Sequence, residues 1–261
     1  MRVWRGLRGS ARAVSLRAVG QPRERPLFVE LVGLAGVGKT HLKRQLVALL
    51  GDRCLDLVGL RLSVRDVRSL PAAWRRAAPL GWYVMTASGG QPLPVRASVA
   101  KGLLRYGWAS AAAARLPQPP RFVVAEGWFH KLRRVRKLLG RETTFRDLPA
   151  SVRGRLGMPD LVLLVTADPM VICQRKLKRS GQPVTPESLE RQYARSGERG
   201  QWDEDRLTRI DLEQAASETG LRFVEIDYGP EYDVAGELVP LLESFRLDSV
   251  GSPMAASPGV I

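Results

Sequence analysis

Leu27-Phe28-Val29-Glu30-Leu31-Val32-Gly33-Leu34-Ala35-Gly36-Val37-Gly38-Lys39-Thr40 is the stretch whose reading decides the fold. An apolar run from Leu27 to Val32 reads as a buried strand, and it ends at a loop carrying Gly33, Gly36 and Gly38. From His41 onward, Leu42, Leu46, Leu49 and Leu50 recur at helical spacing. Strand, glycine loop and helix in that order form an anion cradle. Polyphosphate oxygens need several main-chain N–H groups converging on one point, side chains would block that approach, and the following helix adds its N-terminal dipole. Lys39 then reaches the outer phosphates and the Thr40 hydroxyl ligates magnesium.

Outward from this loop the chain alternates short apolar runs with helical periodicity. Phe122–Ala125 is a second strand, followed by a helix with Trp128, Leu132, Val135 and Leu139 on one face. Leu161–Val165 is a third, leading through Asp168-Pro169 into a helix with Val171, Ile172 and Leu177. Arg222–Ile226 is a fourth, preceded by a helix over about 205–219 and followed by another over 234–242. Short apolar strands separated by helices predict a parallel sheet covered on both faces. Residues 26–246 are read as one domain, with a basic, disordered N-terminal arm over 1–25 and a disordered tail over 247–261.

Composition narrows the class. No apolar stretch approaches the length of a membrane span, so a soluble protein is expected. Cys54 and Cys173 lie far apart without metal-ligand spacing; they read as buried thiols of a reducing, cytoplasmic compartment. Lys and Arg total 41 against 26 acidic residues, a formal charge of +15 that attracts polyanions by long-range field. Yet 34 of the 41 cations are Arg and Ala is abundant, the composition of GC-rich coding, so nucleic acid is the less favoured partner.

A phosphate-transferring site also needs an acid at the end of a neighbouring strand. Glu126, directly after Phe122–Ala125, is the candidate, both as a catalytic group and, with Thr40, as a metal ligand. Glu30 is the weaker choice because its side chain points across the sheet and not out of its end. Mobile cations must close over the transferred phosphoryl group. Arg175 and Arg179, four apart on one helix face, are the candidates, with Arg191, Arg195 and Arg199 in the polar stretch that follows. His41 reads as structural and His130, opening a basic helix, as solvated.

With these motifs in order, the chain resembles the thymidylate-kinase-like, or nucleoside and nucleotide kinase, group of P-loop kinases. The resemblance rests on Leu27–Thr40, which has the Walker A form, on Ala125-Glu126-Gly127, and on Pro159–Val165 leading to Asp168-Pro169. The basic helix over Arg175–Arg179 looks like the start of that group's lid. The resemblance implies a three-layer α/β P-loop NTPase fold: a parallel sheet of about five strands, helices on both faces and a small helical lid. It implies ATP and magnesium as cofactors, with Lys39, Glu126, Arg175 and Arg179 as catalytic residues. Gly33, Ala35, Gly36, Val37, Gly38, Lys39, Thr40 and His41 would hold the nucleotide. The group's Asp-Arg-Tyr/Phe triplet stands here as Glu126-Gly127-Trp128, so the acceptor stays open.

Between Val67 and Ala125 there is no acidic residue, while Arg68, Arg75, Arg76, Arg96, Lys101, Arg105, Arg115 and Arg121 supply cations. A positive lining favours an anionic small-molecule acceptor. Trp74, Trp82, Tyr83, Tyr106 and Trp108 are interleaved and could stack on a base or sugar, or simply pack the core. The leading expectation is therefore a small-molecule kinase. The alternatives are a regulatory or nucleic-acid-associated P-loop ATPase, favoured by the charge, and an inactive scaffold.

Overall fold

The computed structural model describes residues 26–57, 78, 81–86, 90–113, 120–139, 144–153 and 158–251. The basic arm over 1–25 lies outside the described residues. Five strands form one sheet: β1 (Leu27–Val32), β2 (Cys54–Asp56), β3 (Phe122–Ala125), β4 (Leu161–Thr166) and β5 (Arg222–Asp227). The order is β2-β3-β1-β4-β5, and every pairing is parallel. This is the expected five-stranded α/β architecture.

Helices link the strands and follow the last of them: α1 (Lys39–Leu50), α2 (Leu93–Ala113), α3 (Trp128–Leu139), α4 (Pro169–Arg179), α5 (Pro186–Glu198), α6 (Gln201–Thr219) and, after β5, α7 (Val239–Gly251). α7 continues past residue 246, so residues 247–251, expected to be disordered, are helical; residues 252–261 lie outside the described residues. A π-helical turn over Val234–Leu238 leads into α7.

Strand alternation sorts the core into two layers. Leu27, Val29 and Leu31 of β1, with Leu161, Leu163 and Val165 of β4, pack against Leu42 and Leu46 of α1 and Leu238 and Leu242 at the chain's end. Val32, Val162 and Leu164 face the other way, onto Trp128, Leu132 and Val135 of α3 and Leu212 and Ala215 of α6. Each fully buried apolar side chain contributes about 1.5–3 kcal/mol. By the same alternation Glu30 belongs to the α3 layer.

β1 is the centre of the sheet, and the chain leaves it in one direction for β2 and β3, then in the other for β4 and β5. The crevice at the carboxyl ends of the strands on either side of such a switch point is where open α/β sheets bind ligands. Among the described residues no helix is long and apolar enough to cross a membrane.

Candidate functional site

The loop after β1 curls because its glycines can. Gly33 has φ +138°, and a Cβ there would lie 2.2 Å from the Val165 carbonyl oxygen, so β4 and the loop touch backbone to backbone. Gly38, at φ +110°, caps α1, and a Cβ there would lie 2.7 Å from two ring carbons of Tyr228. The sequence places glycine where both left-handed backbone and close approach exclude every other residue.

Lys39 is buried, and its Nζ donates to the carbonyls of Gly33 (2.7 Å) and Leu34 (2.8 Å). Its side chain folds back over the loop. Around this loop opens a cleft of about 240 Å³, lined by Ala35, Gly36, Gly38, Lys39, Thr40 and His41 with Glu126, His130 and Arg179. Gly33 and Val37 are not among the lining residues. The Val37 side chain is wholly buried in the core beneath the loop, so what these two offer a ligand is main chain.

Glu126 leaves the end of β3 and enters the cleft. Beside it, one turn into α3, the His130 Nε2 lies 3.8 Å from Glu126 Oε2. His130 is not the solvated residue expected: its side chain is 21% exposed and faces the cleft. Burial, with Lys39, Lys131 and Arg134 nearby and Glu126 opposing, brings its imidazole down to about 4, leaving it neutral at physiological pH. The misreading came from the basic composition of α3, whose apolar face turns out to be deeply buried against the sheet.

The two arginines of α4 do not share a task. Arg179 lines the cleft. Arg175 instead donates through Nη1 to the Val37 carbonyl and through Nη2 to that of Tyr228 (3.1 Å), its guanidinium 5.6 Å from the Tyr228 ring centre. It holds the loop from behind. Tyr228 completes this support: its hydroxyl donates to Gln45 Oε1 (2.6 Å) and shares a 2.6 Å hydrogen bond with His41 Nδ1. His41 is thus both a wall of the cleft and a structural partner.

α4 itself starts on an Asp168 cap, whose carboxylate accepts from Met170 N (2.7 Å) and Val171 N (3.3 Å). The Lys176 ammonium ties α4 to the next two helices through Ser196 Oγ (3.2 Å) and Gln201 Oε1. Arg191, Arg195 and Arg199 are exposed and do not line the cleft.

Two acids escaped sequence reasoning in their actual roles. Asp56 ends β2 and pairs with Lys43 at 3.1 Å. Glu30 does point across the sheet, fully buried, and its carboxylate reaches the start of α3: Oε2 accepts from Trp128 N (2.8 Å) and Oε1 from His130 N (3.0 Å). Burial pushes this carboxyl up to about 7, against the lowering effect of the α3 amides. An acid inside a strand otherwise read as buried, facing a helix that opens on Gly127 with no side chain to cap it, was the available signal.

Much of the expected acceptor lining escapes comparison. Arg68, Trp74, Arg75, Arg76 and Arg115, with the side chains of Arg105, Tyr106 and Trp108, lie outside the described residues. Arg96 donates through Nη1 to the Met85 carbonyl (2.7 Å), while Lys101 and Arg121 are exposed. Trp82 is 73% exposed and Tyr83 packs on the α3 layer of the core.

The oxygen donors in the cleft, the Thr40 hydroxyl and the Glu126 carboxylate, suit a hard divalent ion such as magnesium. The loop amides and Lys39 suit a polyphosphate. No protein-family model matches this chain. No curated protein matches it either. Among solved structures, a deoxyadenosine kinase from M. mycoides with bound dCTP aligns over 85% of this chain and all of that one, at 12% identity and a TM-score of 0.36.

Proposed function

We propose that this chain is an ATP- and magnesium-dependent phosphotransferase acting on an anionic small-molecule acceptor. One observation carries the reading: the glycine loop with Lys39 and Thr40, the strand-end acid Glu126 and the helix-end cation Arg179 all line a single cleft. Phosphoryl transfer needs this combination, a main-chain cradle for the transferred group, a carboxylate near the attacking oxygen and a cation for the charge that develops.

Thr40 and Glu126 would hold the metal ion, which supplies charge neutralisation at the phosphates. Lys39, once turned from the Gly33 and Leu34 carbonyls, would contact the outer phosphates. Arg179 would face the transferred group, and Arg175 would keep the loop in shape. The uninterrupted positive charge over residues 67–125 supports an anionic acceptor. Reduced, buried Cys54 and Cys173 are consistent with work in the cytoplasm.

A nucleic-acid-associated ATPase is the second reading, supported by the net charge of +15. The two part on whether turnover needs a second small substrate. The test is ATP consumption by purified protein across a panel of phosphorylated and acidic acceptors, alongside salt titration of binding to generic DNA. Glu126→Gln should keep ATP binding and lower turnover by about 10²–10⁴-fold. Full turnover in that variant rules out Glu126 as the working acid; acceptor-independent hydrolysis stimulated by DNA favours the second reading.

A further inference from the structure

Glu30 sits at zero exposure in the central strand, on the same face as Phe28 and Val32. A buried carboxylate costs several kcal/mol unless its oxygens are satisfied. The groups that act on it are the main-chain amides of Gly127, Trp128, Phe129 and His130. An apolar residue would pack this position as its neighbours do, and a Ser or Asp at 127 would cap the helix locally. The chain instead has glycine at 127 and supplies the cap from β1, across 98 positions of sequence.

What this arrangement achieves is a direct link between the two halves of the cleft. Glu30 pairs in register with Ala125, the residue before Glu126. Three residues further along the chain, just past the end of β1, is Gly33, where the phosphate loop begins. The segment from Ala125 to His130 is therefore fixed at one end by the sheet and at the other by the Glu30 carboxylate, with Glu126 and Gly127 bridging the interval. His130, held by its own amide, projects from the same clamped turn.

We propose that Glu30 is a positioning residue: by clamping the first amides of α3 to the strand that carries the phosphate loop, it fixes the aim of Glu126 and His130 into the cleft. This rests on the phosphotransferase reading, in which Glu126 helps to hold the metal–nucleotide.

The test compares wild type, Glu30→Gln, Glu126→Gln and the double variant, using Mn2+ with a non-hydrolysable ATP analogue. Mn2+ affinity is read by electron paramagnetic resonance, and amide exchange at Trp128 and His130 by NMR. Glu30→Gln should leave analogue affinity without metal within about twofold and weaken Mn2+ by about tenfold, the usual range for a residue that orients a metal ligand. Exchange at the Trp128 and His130 amides should accelerate, as it should not in Glu126→Gln. Because Glu30 acts through Glu126, the double variant should bind Mn2+ no more weakly than Glu126→Gln alone.

Wild-type Mn2+ affinity in folded Glu30→Gln, or losses that add in the double variant, overturns the positioning role while leaving the phosphotransferase reading intact. Wild type that fails to bind the metal–analogue complex overturns that reading and this one together. If Glu30→Gln does not fold, Glu30→Asp keeps the charge but retracts it by one methylene. It should fold and show a smaller loss, and if it too fails to fold the residue is a stability element only and the proposal falls.

Discussion

The cleft around the glycine loop is braced on two flanks by side chains of opposite charge. On the α4 flank a cation, Arg175, grips main-chain carbonyls of Val37 and Tyr228. On the α3 flank an anion, Glu30, grips the main-chain amides of Trp128 and His130. Both use a charged side chain against backbone dipoles, the stronger class of hydrogen bond. They differ in constancy. A guanidinium keeps its charge at any pH at which proteins fold, whereas burial brings the Glu30 carboxyl up to about 7. One flank is a fixed brace, and the other is a group whose charge changes near neutral pH.

The largest effect should come from forcing the α4 flank open. Gly38→Ala puts a methyl 2.7 Å from the Tyr228 ring at a φ of +110°. Backbone strain and overpacking together should cost about 3 kcal/mol. We expect ATP affinity to fall by about a hundredfold or more in calorimetric titration, and near-wild-type affinity would mean that the loop does not need Tyr228 behind it.

On the other flank the pH dependence carries the sign of a carboxyl raised above its ordinary value. The folded state keeps the Glu30 proton through the window from about 4.5 to about 7, so the group's contribution to stability is complete below that window and is lost as pH rises through it. The difference in urea-unfolding free energy between wild type and Glu30→Gln should therefore move against wild type between pH 4.5 and 7. Its size should be on the order of 3 kcal/mol, flattening above. A difference that grows in favour of wild type over that range contradicts the burial argument.

Arg175→Ala leaves the Val37 and Tyr228 carbonyls without their cation. It should cost about 1.5–3 kcal/mol and, unlike the Glu30 variant, show no inflection near pH 7. Tyr228→Phe is the mildest change. It removes the hydroxyl bonded to His41 and Gln45 while keeping the ring against Gly38, and about 1 kcal/mol in thermal unfolding is expected.

The same contrast explains what could be read from the chain and what could not. The loop was legible because Gly33, Gly36 and Gly38 encode a backbone shape locally, β1, β3 and β4 because each is a run of mostly apolar residues, and β5 because Phe223, Val224 and Ile226 stand among charged neighbours. β2 was not, since Cys54-Leu55-Asp56 is an edge strand with too few residues to show a period. Arg175 and Arg179 share a helix face as their spacing predicts, but spacing cannot say that the first meets a carbonyl and the second a cleft. Glu30 was correctly aimed across the sheet, yet its partner lies in a helix start that only the β1–β3 register brings near. His130 followed the composition of its helix into error, because burial is decided by the layer that helix covers.

The two thiols turn this fold into its own instrument. Cys54 is 7% exposed on the edge strand and Cys173 is wholly enclosed under α4, and burial pushes the Cys54 thiol up to about 12. Neither can meet an alkylating reagent until its element lifts away, because only an exposed thiolate reacts. Labelling rates at the two positions would therefore report, without any engineered probe, how often the sheet margin frays and how often α4 leaves the loop. Nucleotide that grips the loop should slow the second clock and leave the first running.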